Sequence, residues 1–138
     1  MDDKLELLRA VPLFAGVDQD GLEELGRIAE EVETQPGTVL THEGRHEGYF
    51  FVVVSGSVRI TRGDRTINVM GPGEFLGEIA LLDGGPRTAT ATTDTPTTLL
   101  KITNEAFHQL VDRSPAVRTA VLAAAGTRLR AMDGESVI

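Results

Sequence analysis

The sequence contains no cysteine and no tryptophan, and a single tyrosine. Without cysteine there is no disulfide framework and no thiolate metal site, which suits a reducing compartment. No apolar run approaches the roughly 20 residues that a membrane-spanning helix needs. The opening Met1-Asp2-Asp3-Lys4 is acidic and lacks the basic-then-apolar order of a secretory signal. The expected location is therefore the cytoplasm, away from any membrane. Positive charge is also scarce: 13 Lys and Arg stand against 21 Asp and Glu, a formal net charge of -8. A broad cationic face for a nucleic-acid backbone is not expected from this balance. The acidity serves solubility, so an anionic ligand would have to be captured by a local device.

The 138 residues fit one domain, large enough to bury a core without cross-links. Pattern divides it into a helical start (1–31), a β-barrel (32–102) and C-terminal helices (103–133). Leu5, Leu8 and Val11 recur at helical spacing until Pro12 breaks the run. Asp18 or Asp20 can cap a second helix, with Leu22, Leu25, Ile28 and Ala29 on one stripe. Gln35-Pro36-Gly37 signals a turn. Residues 49–54, Tyr-Phe-Phe-Val-Val-Val, have the aromatic and β-branched character of a strand. Two further strands are expected over 89–93 and 97–102, around Asp94-Thr95-Pro96. Thr103 or Asn104 can cap a helix carrying Phe107, Leu110 and Val111. Ser114-Pro115 then starts a last helix, with Val117, Val121, Leu122, Ala125, Leu129 and Met132 at near-heptad spacing. Short punctuated strands between helices predict a mainly β fold, a jelly-roll barrel with flanking helices and a C-terminal lid or hinge helix.

Gly63-Asp64 predicts a two-residue hairpin turn between residues 57–61 and 65–69. An ideal register sets Arg62 opposite Arg65, Thr61 opposite Thr66 and Ile60 opposite Ile67. Val58, Ile60, Ile67 and Val69 would then share one face.

The stretch most suggestive of chemistry is 73–90, Gly-Glu-Phe-Leu-Gly-Glu-Ile-Ala-Leu-Leu-Asp-Gly-Gly-Pro-Arg-Thr-Ala-Thr. Gly77 permits a close backbone approach. Glu78-Ile79-Ala80-Leu81-Leu82 is long enough for one or two helical turns, whose first N–H groups lack internal partners and favour an anion. Asp83-Gly84-Gly85-Pro86 turns the chain back, so that Arg87 could bring a fork of donors to the same place, with the Thr88 hydroxyl beside it. Glu78 would repel a phosphate but could accept from a sugar hydroxyl, as an acidic residue does in dinucleotide folds. Read blandly, Glu78 is a carboxylate complementing a helix dipole and Arg87 half of a surface ion pair. The residues alone leave both readings open.

Gly77-Glu78-Ile79-Ala80-Leu81, followed after a short gap by Arg87-Thr88-Ala89-Thr90, resembles the phosphate-binding cassette of the cyclic-nucleotide-binding domain family. That family includes bacterial catabolite activators and the regulatory subunits of cyclic-nucleotide-dependent kinases. The resemblance extends to Val11-Pro12-Leu13-Phe14, Glu43-Gly44, the strand from Tyr49 and the helices around Phe107 and Ser114-Pro115. It covers roughly residues 7 to 132. It implies a non-catalytic sensor that binds cAMP or cGMP and has no metal or resident cofactor. By the same resemblance Arg87 would pair with the cyclic phosphate and Glu78 with the ribose 2′-hydroxyl. The backbone at Gly77, Ile79 and Ala80, with Thr88 and Ala89, would complete the cradle, and Ile60 and Ile67 would wall the base. A hydroxyl after the arginine accompanies cGMP in the kinase branch but cAMP in bacterial activators, so Thr88 leaves only a modest lean to cAMP.

The resemblance also marks departures. Where bacterial activators place base-binding hydroxyls on a long helix, this chain has Met132-Asp133, readable as an apolar lid and an acceptor or as a solvated helix end. No effector segment is recognisable up to Ile138. Output would pass to a protein partner or fused effector, with the last helix as transmitter or as a homodimer seam, unless its stripe simply packs on the barrel. Two other classes were weighed. His42-Glu43 with His46-Glu47 faintly resembles a cupin metal site, but His108 is remote and a metal needs convergent ligands. A ligand-free interaction or dimerisation module is the closer alternative. No nucleophile elbow supports catalysis.

Overall fold

The computed structural model describes residues 3–11, 14–46, 48–76, 86–119, 122, 123 and 126. Helix α1 (Asp3–Arg9) and helix α2 (Gln19–Ile28) open the chain. Asp18 caps α2, its carboxylate accepting from the Gly21 amide at 2.8 Å. The Lys4 ammonium donates to the carbonyls of Gly26 and Ala29 at 3.1 and 2.9 Å. A cation at the carbonyl end of α2 suits the helix dipole and ties the two helices together.

Eight strands follow: β1 (Glu30–Thr34), β2 (Val39–Thr41), β3 (Tyr49–Ser55), β4 (Val58–Arg62), β5 (Arg65–Met70), β6 (Phe75–Leu76), β7 (Thr90–Thr93) and β8 (Thr97–Thr103). They form two antiparallel four-stranded sheets, ordered β1-β8-β3-β6 and β2-β7-β4-β5. The fold is the expected jelly roll with flanking helices, with one refinement: among the described residues the sheets remain two and do not close into a barrel. β1 begins at Glu30, inside the segment read as helical start. Its sequence, Glu-Glu-Val-Glu-Thr, is polar because it is an edge strand with a mostly exposed burial pattern, so it lacks an apolar signature.

Alternation divides the apolar residues of β3 and β8 between two cores. Phe50, Val52, Leu100 and Ile102 pack against the helices, with Leu8, Leu25 and Phe107. Phe51, Val53 and Leu99 face the second sheet, meeting Val58, Ile60, Met70 and Ala91. That explains the uninterrupted run at 50–54: a sheet covered on both sides needs apolar residues on both faces of its central strands. The Phe50 ring stacks on Phe107 at 4.2 Å and on Phe75 at 5.8 Å between centroids. Helix α3 (Asn104–Arg113) is capped by Thr103, whose hydroxyl accepts from the Ala106 amide at 3.2 Å. Residues 115–119 are helical after Ser114, and Val117 is fully buried in the helical core.

Gly63 turns the β4–β5 hairpin with φ 58 while Asp64 keeps a negative φ, as a II′ turn requires. Arg62 faces Arg65 and Thr61 faces Thr66, as expected, but then the register shifts and Ile60 faces Asn68. Ile67 is thus the extra residue of a bulge, and the expected facing of Ile60 with Ile67 is corrected. A one-residue insertion exchanges the faces of everything beyond it. Met70 is consequently buried opposite Val58, while Ile67 and Val69 are 39% and 52% exposed. The shared face is that of Val58, Ile60 and Met70, and the bulkier Met70 fills the space between the sheets.

Of the expected apolar stripe on the last helix, Leu122 is 54% exposed, whereas Val121, Ala125, Leu129 and Met132 lie outside the described residues, as does the neighbouring Asp133. No helix among the described residues is long and apolar enough to cross a membrane.

Candidate functional site

Those of the residues singled out by sequence that the structure describes lie at one end of the β2-β7-β4-β5 sheet. Arg87, Thr88 and Ala89 run directly into β7, whose Thr90 and Ala91 pair with Thr61 and Ile60 of β4. The segment 87–89 therefore lies beside the Ile60–Arg62 end of β4.

The loop between β2 and β3 holds this segment in place. The Arg87 amide donates to the Arg45 carbonyl at 2.7 Å, and the Gly44 amide donates to the Arg87 carbonyl at 2.9 Å. Two reciprocal main-chain bonds fix the backbone of Arg87 against residues 44–45, as a strand pair would. Glu43 extends the tie: its amide donates to Thr90 Oγ1 at 3.0 Å, and its carboxylate accepts from the Gly63 amide at 2.9 Å. Thr41 Oγ1 donates to the Ala89 carbonyl at 3.1 Å. Ala89 packs against the inter-sheet core.

Arg87 is 4% exposed. Burying a guanidinium is costly unless its donors are used. Nη2 donates to the main-chain carbonyl of Tyr49 at the start of β3. Two sheets thus position one buried cation, through its main chain and through its side chain. From β4, Arg62 Nε donates to the Thr88 carbonyl at 3.3 Å.

Sequence reading found Arg87, Thr88, Ala89 and Ile60, and the fold brings these together. Ile67 stands one residue out of the expected register, at the bulge beside them. Gly77, Glu78, Ile79 and Ala80 lie outside the described residues. Sequence reading noted Glu43-Gly44 only as part of the resemblance and missed that this loop, with Arg45, supports Arg87; it also missed Arg62 as a site residue. The main-chain bonds of the loop carry no residue signature. Arg62 did leave a signal, as a like charge set opposite Arg65. Of the residues weighed as metal ligands, His42 and His46 lie in this loop and Glu47 is outside the described residues. Among the described residues no three His, Asp or Glu side chains cluster to hold a metal.

Buried Arg87, followed by Thr88 and lying beside Ile60 of β4, is a residue type suited to an oxyanion. The cyclic nucleotide-binding domain family matches residues 31–114. The cyclic AMP receptor protein of Thermus thermophilus is 31% identical over 133 residues, 93% of this chain and 62% of that protein. The solved N-terminal domain of a transcriptional regulator from Streptomyces coelicolor is 35% identical, with a TM-score of 0.72 and 96% of each chain covered. The regulatory domain of Toxoplasma gondii protein kinase A, solved with cAMP, is 29% identical with a TM-score of 0.72, over 78% of this chain and 42% of that one. The chain spans less than two thirds of the length of the curated relatives it matches. The jelly roll, the buried arginine leading into β7 and the matched 31–114 segment have one common explanation: this chain belongs to the cyclic nucleotide-binding domain family.

Proposed function

We propose that the chain is a non-catalytic sensor that binds cAMP in preference to cGMP. The observation that carries cyclic-nucleotide binding, though not the choice of base, is the buried Arg87, held by Arg45, Gly44 and Tyr49 in a protein of net charge -8. A guanidinium buried in an acidic chain supports reading this position as a local anion site. In this reading Arg87 pairs with the cyclic phosphate, and Thr88 with Ala89 completes its coordination. Glu78 accepts from the ribose 2′-hydroxyl, with the backbone of Gly77, Ile79 and Ala80 around the phosphate. Ile60 and Ile67 flank the base. The lean to cAMP is supported by the Thermus relative and by the cAMP-bound Toxoplasma structure.

Occupancy is transmitted through the C-terminal helix to a protein partner, a fused effector or a second copy of the chain. Support for this lies in how the helix starts. Val117 is buried in the helical core, and Arg118 donates to the carbonyls of Val111 and Asp112 at 3.2 and 2.9 Å. The helix is thereby coupled to α3, which packs on β3 and β8. The same reading places the protein in the cytoplasm, without a resident cofactor or a nucleic-acid site of its own.

Calorimetric titration with cAMP, cGMP and linear 5′-AMP tests the proposal. Binding of cAMP more tightly than cGMP, with no binding of 5′-AMP, is the expected result. No binding of either cyclic nucleotide would replace the sensor with an interaction module built on the same fold.

A further inference from the structure

A second guanidinium stands beside the first. Arg62 closes β4 two residues after Ile60, so alternation sends both side chains from the same face of the sheet. On that face Val58 and Ile60 are buried towards the second sheet. Arg62 Nε is spent on the carbonyl of Thr88, the residue after Arg87. Its Nη2 is shielded from solvent and meets no hydrogen-bond acceptor among the described residues. Arg59 and Arg113 find carboxylates, Asp94 and Glu24, but Arg62 finds none among the described residues. Glu43, the acidic residue tied to the hairpin tip, uses its carboxylate on the Gly63 amide.

Two costs meet at this residue. A buried N–H on a cation without an acceptor loses its hydration and gains nothing. Arg65 stands directly across the hairpin, and like charges opposed on a ladder are destabilising. An anion relieves both. Resting on the nucleotide-binding reading above, we propose that Arg62 is a second phosphate-binding residue, its Nη2 donating to an exocyclic oxygen of the cyclic phosphate held by Arg87. The anchor on Thr88 sets the guanidinium at the phosphate end of the site, and the planar fork of donors suits phosphate oxygens. The phosphate is common to cAMP and cGMP, so this contact adds affinity without selecting the base.

The test is the dissociation constant of the full chain for cAMP and for cGMP, measured for the parent, Arg62→Met and Arg62→Lys. Arg62→Met is expected to bind both nucleotides about tenfold to a hundredfold more weakly, to a similar degree. Its melting temperature without ligand is expected to stay close to the parent's, the lost bond from Arg62 Nε to the Thr88 carbonyl being offset by removal of a buried unbonded donor. Arg62→Lys, which keeps the charge, is expected to recover part of the loss. Parent-like binding by Arg62→Met overturns the proposal, as does a loss confined to one nucleotide, which would move the contact to the base. A loss matched by a lower ligand-free melting temperature in both variants would reduce Arg62 to a packing role. A parent that binds neither nucleotide overturns the underlying reading before any Arg62 variant is compared.

Discussion

Ile60 stands opposite Asn68, and Ile67 is the residue left over between the two strands. This single insertion decides which apolar side chains of the hairpin belong to the core. It buries Met70 with Val58 and Ile60, and it leaves Ile67 free of a packing role between the sheets. The proposed role of Ile67 beside the base would therefore not compete with core packing.

The bulge predicts an asymmetry between two isoleucines. Ile60→Ala is expected to lower unfolding free energy by about 2–5 kcal/mol, the range for emptying a buried Ile site. Ile67→Ala is expected to stay within about 0.5 kcal/mol of the parent, as exposed substitutions do. Urea denaturation measures both. Equal costs would contradict the bulged register and restore the ideal hairpin.

Gly56 links β3 to β4 with φ 95, and a Cβ there would lie 2.5 Å from Thr97 Oγ1 and 2.6 Å from the Pro96 carbonyl oxygen. Backbone strain and steric overlap therefore act together. Gly56→Ala is expected to cost about 2 kcal/mol or more, read as a lower denaturation midpoint with an unchanged slope. A variant as stable as the parent would mean that this turn is not held as described.

The stack of Phe75, Phe50 and Phe107 joins β6, β3 and α3 through one row of rings. Phe107 is fully buried. Phe107→Ala is expected to cost about 3–5 kcal/mol, and Phe107→Leu distinctly less because it refills most of the volume. Thermal unfolding of the two variants checks the order. If both cost the same, the ring geometry contributes more than the volume.

Much of this architecture was legible because the physics that made it is local. Asp18 and Thr103 cap helices where a short polar side chain precedes an apolar stripe. The turn at Gly63-Asp64 needs a glycine for its positive φ. The run at 50–54 is apolar on both faces because each face meets a different core. What was not legible is non-local. β1 is polar because it is an edge strand with mostly exposed side chains, so its strand character comes from pairing with β8 and not from its own residues. The bulge at Ile67 depends on Met70 reaching the inter-sheet core, a competition that turn chemistry does not record. The tie between Arg87 and Arg45 is made of main-chain atoms, which any residue supplies. The Arg87-Thr88-Ala89 segment was singled out by its resemblance to the family's cassette, since its residue types alone left a surface ion pair equally open. Arg62 was visible only as a charge opposed to Arg65, and its approach to Thr88 appears once the strands are paired.

The central claim is that a buried Arg87 recognises a cyclic phosphate. Calorimetric titration of the parent and of Arg87→Ala with cAMP, run beside their ligand-free melting curves, tests it most directly. The account predicts that the parent binds, and that Arg87→Ala weakens binding by about 1.5–3 kcal/mol, the scale of a charge-assisted hydrogen bond, while still unfolding cooperatively. Parent-like affinity in a folded Arg87→Ala protein would contradict it.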